Sequence, residues 1–337
     1  MRCISANRLL WVLAASLAAW LPTASAPSAA SLPVGHLIGY VASGGSVDVV
    51  SVDPATGQRT VLVSASELPR LFRGAGLAVD GNGDLIFSGR YYPGGATVAS
   101  AIYRYDPNAD SLSLITGAIA DPRDLDLFSN GQIVVQSGVQ NGPFVIDALS
   151  GQQIVTLYDP TVGGSVWLGV NRRTDAVYVE KTVQQLVYSL GPASLTFDAS
   201  VVGATFRPTD IATDASGRLF IGSEALNGPP QVIRYDPLTQ DWIVFSVGGL
   251  LGQVRSLQFA NDGALLASVF IADTGATQIV RIDPATGTQS IVAPGFSSAY
   301  FAVVPVPEPP VAALSLIWIL IVTAARRVAG PRPTPLA

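Results

Sequence analysis

The chain has almost none of the residues from which catalytic and transition-metal sites are usually built. It contains one Cys, one His and one Met among 337 residues. Cys3 precedes the first apolar run, so removal of that run would leave a protein with no thiol or disulfide bond. No G-x-S-x-G nucleophile elbow and no His/Cys cluster for zinc or copper is present. We therefore predict no catalytic residue, no metal site and no cofactor, and we expect His36 to begin the first strand.

Charge is also scarce, and its balance is acidic. Only 13% of the residues are charged, and 19 basic against 24 acidic residues give a net charge of −5. Five of the arginines lie near the two ends of the chain, and without them the net charge is −10. An acidic body without a basic stripe excludes nucleic acid and an anionic membrane surface as partners.

The N-terminal segment predicts export. Two arginines and an apolar run from Leu9 to Leu21 are followed by the small residues TASAPSAAS at 23–31. This order is typical of a signal peptide, here residues 1–30, with cleavage after Ala26 or Ala30. An uncleaved anchor is the alternative, although the run is short for a membrane-spanning helix.

Between His36 and Val304 the sequence repeats about every 40 to 50 residues. One element is a β-branched strand that ends in an Asp-Pro turn, as in VDVVSVDPATG at 47–57, AIYRYDPNAD at 101–110 and QIVRIDPATG at 278–287. Asp binds the local backbone, Pro presets φ, and Gly takes the left-handed conformation that reverses the chain. The pattern therefore predicts β-hairpins at regular intervals.

The second element is a strand, a Gly-containing turn and another strand. Examples are AGLAVDGNGDLIFSG at 75–89 and TDIATDASGRLFIGS at 209–223. Two elements make a four-stranded meander, and meanders repeating at this period predict an all-β fold, a β-propeller. Five full repeats are visible, and the leftover strand in Ser297–Val304 would complete the first blade and close a ring of six four-stranded blades. A seven-bladed ring or a pair of β-sandwiches remains open.

The stretch PTDIATDASGRLFI at 208–221 resembles the repeats of NHL, streptogramin lyase and gluconolactonase propellers. The resemblance covers most of residues 36–304 and rests on structural positions, so it implies a fold more than an activity. Gluconolactonase-type propellers hold a divalent ion at the channel mouth, and the matching positions here offer only Asp124 and Asp210. Calcium needs six or more oxygen ligands, and we expect these two carboxylates to bind neighbouring backbone N–H groups instead.

Three loop residues near the same mouth complete a set of candidate ligand contacts: Arg90, Asp124, Glu180, Asp210 and Glu224. Solvated loop residues are the simpler interpretation of the loop members.

DGNGD at 80–84 resembles the start of a calcium loop, but Leu85 and Tyr91 replace the required Gly and Glu. A hairpin turn explains the same five residues without a metal ion.

The C-terminal segment contains a second apolar run. Pro307-Glu308-Pro309 is followed by the uncharged residues Val311–Ala325 and then by Arg326 and Arg327. Arginines after an apolar run hold a segment with that end in the cytoplasm. We expect residues 305–337 to contain a transmembrane segment, with short apolar helices at both ends of the chain.

This order of parts closely resembles the PEP-CTERM sorting signal of Gram-negative bacteria. The resemblance implies an exosortase-like membrane transpeptidase as partner, and display at the cell surface or in an extracellular matrix rich in polysaccharide. Ten further residues, VAGPRPTPLA, follow the arginines, where members of that family usually stop sooner. An ordinary C-terminal anchor is the alternative.

Together these patterns predict an exported propeller, residues 36–304, that binds a polysaccharide or surface protein without catalysis. A lactonase- or lyase-type enzyme acting at the channel mouth is the alternative function. A matrix component without a specific ligand is another.

Overall fold

A computed structural model describes most of the chain between residues 31 and 305. The described residues are 31–43, 46–68, 71–91, 99–117, 119, 121–138, 143–157, 168–171, 174–181, 186–190, 206–225, 228–296 and 300–305. The predicted signal peptide and residues 306–337 of the predicted C-terminal sorting segment lie outside these residues. Within the described part of the chain, no helix is long and apolar enough to cross a membrane.

The described residues form strands arranged in six antiparallel sheets. The first three sheets contain β1 (Leu37–Ser43), β2 (Ser46–Val52), β3 (Arg59–Val63) and β23 (Phe301–Val303); β4 (Leu71–Val79), β5 (Leu85–Tyr91), β6 (Ala99–Asp106) and β7 (Ser111–Thr116); and β8 (Pro122–Leu127), β9 (Ile133–Ser137), β10 (Phe144–Ile146) and β11 (Gln153–Thr156). The last three contain β12 (Leu168–Asn171), β13 (Ala176–Lys181) and β14 (Leu186–Leu190); β15 (Phe206–Thr213), β16 (Leu219–Ala225), β17 (Gln231–Asp236) and β18 (Asp241–Val247); and β19 (Gln253–Phe259), β20 (Leu265–Ile271), β21 (Ala276–Ile282) and β22 (Gln289–Phe296).

The six sheets are the blades of a β-propeller. Their first strands contact one another in the closed order β4, β8, β12, β15, β19, β23 and back to β4. We number the blades one to six, beginning with the sheet that contains β1. The prediction of an all-β propeller is confirmed, and six sheets are present as expected. Five have the predicted four strands, and blade four has three strands in the described residues.

The turns follow the chemistry expected from the repeat. In the first Asp-Pro turn, Asp53 Oδ1 accepts the Ala55 N–H at 2.8 Å, and the Gly57 N–H donates to the Asp53 carbonyl at 2.8 Å. Gly57 has φ +72°, a left-handed conformation that costs glycine little. The last repeat has the same bonds at Asp283 and Gly287. Each turn therefore returns the chain in register for the next strand of the blade.

Burial falls from the axis of the ring to its edge. Every residue of the second strand β9 is buried, whereas every residue of the fourth strand β11 is exposed. The main apolar clusters lie between blades, such as the one that joins Tyr40 of blade one to Phe87 and Tyr103 of blade two. The hydrophobic effect therefore stabilises the ring mainly through contacts between blades, because a single blade leaves apolar faces uncovered.

The C-terminal strand closes the ring as predicted. β23 pairs with β1 in the register Leu37 with Val303 and Gly39 with Phe301. The Val304 N–H donates to the His36 carbonyl at 3.0 Å, and His36 directly precedes the first strand. The first blade therefore joins the two ends of the propeller by backbone hydrogen bonds.

Removing the closing strand should destabilise the ring. A chain that ends at Phe296 leaves β1 with an unpaired edge, and such an edge pairs with other chains. We expect oligomers by light scattering and a melting temperature several degrees lower, measured on chains that begin at Ser31.

The matched control is a chain that ends at Pro305, which keeps β23 and should stay monomeric. If the two truncated proteins had the same oligomeric state and melting temperature, β23 would not be the element that closes the ring.

Candidate functional site in the axial channel

The six inner strands enclose an axial channel that widens at one end into a cavity. The cavity has a volume of about 280 Å³ and is lined by residues from all six blades. It opens at the end of the ring where the inner strands finish and their hairpin turns begin, because Asp214, Asn261 and Pro305 lie on its lining. The chain enters and leaves the ring at this same end, where the Gly35 N–H donates to the Val304 carbonyl at 3.0 Å.

A β-bulge recurs near the start of the inner strands. The register shifts between Pro122 and Asp124 in β8 and between Pro208 and Asp210 in β15. The same shift occurs between Val254 and Ser256 in β19. Bulges re-aim the side chains beside them, and here they precede the two carboxylates that the sequence singled out.

Asp124 links blade three to blade four. One carboxylate oxygen accepts the Leu125 N–H at 2.9 Å, and the other accepts the Leu168 N–H of β12 at 3.1 Å. Asp126, two residues further along, accepts the N–H of Val170 in β12 at 3.1 Å. We call these contacts carboxylate clasps, because each carboxylate bridges the inner strands of two neighbouring blades.

Asp210 forms the equivalent clasp between blade five and blade six. Its carboxylate accepts the Ile211 N–H at 2.8 Å and the Leu257 N–H of β19 at 2.6 Å, and it also bonds the Ser256 side chain. The expectation that Asp124 and Asp210 bind backbone N–H groups is confirmed. Their role as ligand contacts remains a prediction.

Glycine takes the place of the clasp at the intervening junctions. A Cβ on Gly76 of blade two would lie 2.2 Å from the Leu125 nitrogen, and one on Gly169 of blade four would lie 2.4 Å from the Ile211 carbonyl oxygen. The inner strands of blades two and three are therefore in direct backbone contact, and so are those of blades four and five. Carboxylates bridge the two junctions from blade three to blade four and from blade five to blade six.

The channel concentrates negative charge. Burial raises the pKa of Asp124 well above its usual value, and the neighbouring charges of Asp210 and Asp126 raise it further. Burial raises the pKa of Asp210 to about 7, although its hydrogen bonds to Leu257, Ile211 and Ser256 oppose the shift. Loss of solvent and mutual repulsion therefore outweigh hydrogen bonding at both carboxylates.

Arg90, another predicted contact, does not join this pair. Arg90 forms an ion pair with Asp121, which also binds Arg123 at 2.8 Å. The backbones of Glu180 and Glu224 lie in β13 and β16, but their side chains are outside the described residues. The geometry therefore assigns Arg90 an interblade ion pair and leaves the two glutamates as predictions.

The turn at 80–84 has the hairpin geometry that the sequence predicted. Asp80 Oδ1 accepts the N–H groups of Asn82 at 2.8 Å and Asp84 at 3.0 Å, and Gly83 has φ +87°.

His36 Nδ1 lies 2.9 Å from the Ser51 hydroxyl, in the first blade. Among the described residues, no group of three His, Cys, Asp or Glu side chains is placed to hold a metal ion.

Sequence reasoning did not single out the polar residues of the cavity, among them Asp126 and Gln258. Both occupy the inner-strand position that follows the aligned apolar residue, and the repeat itself identifies that position. In the other blades it carries Ala78, Gly169, Ala212 and Ala302. Two polar residues in a column of Ala and Gly were a signal, but their meaning depends on where the ring places them.

Comparison with known proteins supports the fold and goes no further. No protein family and no curated protein matches the sequence. Among solved structures, TolB from Acinetobacter baumannii matches with a TM-score of 0.64 and 10% identity over 81% of this chain and 67% of that one. A chain of a nidogen–laminin complex matches with a TM-score of 0.61 and 11% identity over 81% of this chain and 99% of that one.

A third match is a catalytically inactive variant of virginiamycin B lyase from Staphylococcus aureus, solved with quinupristin. Its TM-score is 0.52 and its identity 12%, over 78% of this chain and 85% of that one. The shared architecture is the β-propeller. At these identities the likenesses show the fold alone.

The buried carboxylates predict an unusual pH dependence of stability. The folded-state pKa of Asp210 is raised to about 7 from 3.8, so the folded state holds more protons than the unfolded state between these values. Stability should therefore fall as pH rises from about 4 to 7, because the folded protein must release protons that the unfolded chain has already lost. We expect the melting temperature measured by calorimetry to drop by several degrees over this range.

Replacing Asp210 by Asn should reduce this pH dependence, because one of the two carboxyl groups with a raised pKa no longer ionises, while Asp124 still does. Replacing the exposed Asp241 by Asn is the control and should leave the slope of the wild-type protein unchanged. A wild-type melting temperature that stays level or rises from pH 4 to 7 would show that the channel carboxyl groups do not have raised pKa values in the folded protein.

Proposed function

We propose that this protein is an exported β-propeller that acts as a binding or scaffold module at the cell surface or in the extracellular matrix. Its C-terminal segment serves as a sorting signal. The observation that carries the non-enzymatic part is the use of the channel carboxylates. Asp124 and Asp210 are 8% and 5% exposed, and each binds backbone N–H groups on two blades. These two carboxylates are buried, join blades and do not line the axial cavity, so they are poorly placed to meet a substrate.

The position of the chain ends favours the sorting part of the proposal. Residues 35 and 304 are hydrogen-bonded to each other, and Pro305 lies at the cavity end of the ring. Only five residues separate Pro305 from the apolar run that starts at Val311, a span of at most about 18 Å. The Pro-Glu-Pro motif would therefore lie between the ring and the membrane, where a membrane transpeptidase can reach it.

The partner that we propose is an extracellular polysaccharide or a surface protein. The acidic charge balance argues against nucleic acid as a partner. One matched structure is a complex of two proteins, nidogen and laminin, and it illustrates that a chain of this fold can belong to such a complex.

An enzyme of lactonase or lyase type is the second candidate. Asp210 favours it, because a carboxyl with a pKa of about 7 exchanges protons near neutral pH. One matched structure is a lyase, although its 12% sequence identity does not indicate that this chain has the same activity. The two functions differ in whether Asp210 contacts a substrate.

Activity and binding assays on the full-length protein separate these candidates. We expect no hydrolysis of sugar lactones and no cleavage of streptogramins, with or without calcium, and retention on exopolysaccharide from a producing strain. A chelator should change the melting temperature by less than about 1 °C, because a tightly bound ion would stabilise the fold by mass action. Turnover that disappears in an Asp210→Asn variant of normal melting temperature would establish the enzyme instead.

The sorting signal is tested by intact-mass measurement on native protein. We expect a chain that ends near Pro309. Replacing Glu308 by Ala, or both Arg326 and Arg327 by Ala, should leave the tail attached, because the motif or its orientation in the membrane is lost.

Arg332→Ala is the matched control, since it removes a positive charge outside the motif and should not affect processing. Native protein that still ends at Ala337, from a strain that processes other such substrates, would indicate a plain membrane anchor.

A further inference from the structure

Small residues at one position of the repeat leave space for the axial cavity. Four blades place Ala or Gly at this position, and three of these small residues, Ala78, Ala212 and Ala302, line the cavity. The other two blades place Asp126 and Gln258 there, and both side chains line the cavity. Small residues at this position leave room for a ligand, and the two polar side chains at the same position can contact it. Other polar residues of the lining are Asn171, Thr213, Asp214 and Asn261.

The order of the blades places Asp126 and Gln258 on opposite sides of the axis. Asp126 lies on β8 of blade three and Gln258 lies on β19 of blade six. The inner strands follow one another around the ring as β8, β12, β15 and β19, and as β8, β4, β23 and β19 in the other direction. In either direction around the ring, β19 is the third inner strand after β8, so the two strands lie on opposite sides of the axis. A carboxylate and an amide therefore face each other across the axis.

The charge of the lining favours a cation. Asp126 and Asp214 lie on the cavity, and no Arg or Lys is found among its described lining residues. Asp214 forms an ion pair with Arg218 at 2.6 Å, and the Asp126 carboxylate, whose oxygens accept the N–H groups of Leu127 and Val170, adds a second negative charge. The negative charge of Asp126 also acts on the other channel carboxylates, because it raises the pKa of both Asp124 and Asp210. A phosphorylated or carboxylated sugar would be repelled, whereas an ammonium group would be stabilised.

The size of the cavity limits the guest. Its volume of about 280 Å³ lies just below the range of roughly 300–1,000 Å³ typical of pockets for drug-sized ligands. A compound of about one sugar ring fits this space. An ammonium group has three N–H donors and no acceptor, and it can therefore bind acceptors on both walls.

We propose that the axial cavity binds a small primary amine of amino-sugar size, held between the Asp126 carboxylate and the Gln258 amide oxygen. This site goes beyond the proposed function, because it lies inside the ring and does not depend on the sorting signal or on the outer surface. Its failure would leave the scaffold proposal unchanged, and failure of the sorting test would leave this site unchanged.

Calorimetric titration of the full-length protein near neutral pH tests the site with a matched pair of probes. Glucosamine carries an ammonium group where glucose carries a hydroxyl. We expect one glucosamine per chain, and binding of glucose weaker by about 10-fold or more, since glucose lacks the charge-assisted hydrogen bonds of the ammonium group. Glucose 6-phosphate should not bind. Equal affinity for glucosamine and glucose, or tighter binding of calcium at the same site, would overturn the proposal.

Variants of Gln258 test the position of the guest without disturbing a carboxylate clasp. Gln258→Leu should weaken glucosamine binding by about 10-fold, because one acceptor is lost. Gln258→Glu should strengthen it, because a second carboxylate then faces Asp126 across the axis. Gln152→Leu, on an exposed turn of blade three, is the control and should bind as the wild type does.

Circular dichroism and melting temperature establish that each variant is folded. Unchanged glucosamine affinity in folded Gln258→Leu and Gln258→Glu proteins would place any binding outside the axial cavity and refute the site.

Discussion

The close approach of the inner strands is the constraint on which the rest of the structure depends. Neighbouring inner strands are near enough for Asp124 to reach the N–H of Leu168 and for Asp210 to reach that of Leu257, at 3.1 and 2.6 Å. At the alternate junctions, Gly76 and Gly169 allow contact without any side chain. These distances fix the width of the channel. They also bring the apolar faces of neighbouring blades together, and burial of these faces supplies the main stabilising free energy.

The same constraint decides what the channel can do chemically. A carboxylate that joins two strands must lose most of its solvent, and the ring brings Asp124, Asp126 and Asp210 near enough to repel one another. The raised pKa values are the cost of this arrangement, and protonation or a bound cation can relieve it. Structural clasps and an electronegative interior are therefore two consequences of one geometry.

Closure of the ring has a consequence for how the protein faces its surroundings. Because β23 pairs with β1, the chain begins and ends at one end of the ring, and the axial cavity opens there too. If the C-terminal segment holds the protein at a membrane, the opposite end of the ring, with Arg90, Asp121 and Arg123, is presented outward. A single backbone pairing thus gives the ring an inward and an outward face.

The sequence by itself determined the local structure and the architecture. Period-two strands, Asp-Pro turns such as Asp53-Pro54 and glycine turns such as the one at Gly83 are set by backbone preferences and by side-chain bonds within a few residues. Their repetition predicted six blades and the orphan strand that closes them. The local bonding of Asp80 and the position of His36 could also be predicted, because they involve near neighbours in the chain.

Only the tertiary structure decided what meets across the axis. Asp126 and Gln258 are 132 positions apart in the sequence, and the number and order of the blades place them opposite each other. Likewise, the partner of Asp124 is an N–H group 44 residues away, and that of Asp210 is 47 residues away. Hydrogen bonds over such separations depend on ring closure and blade spacing, which are properties of the whole fold, and no local pattern of residues encodes them.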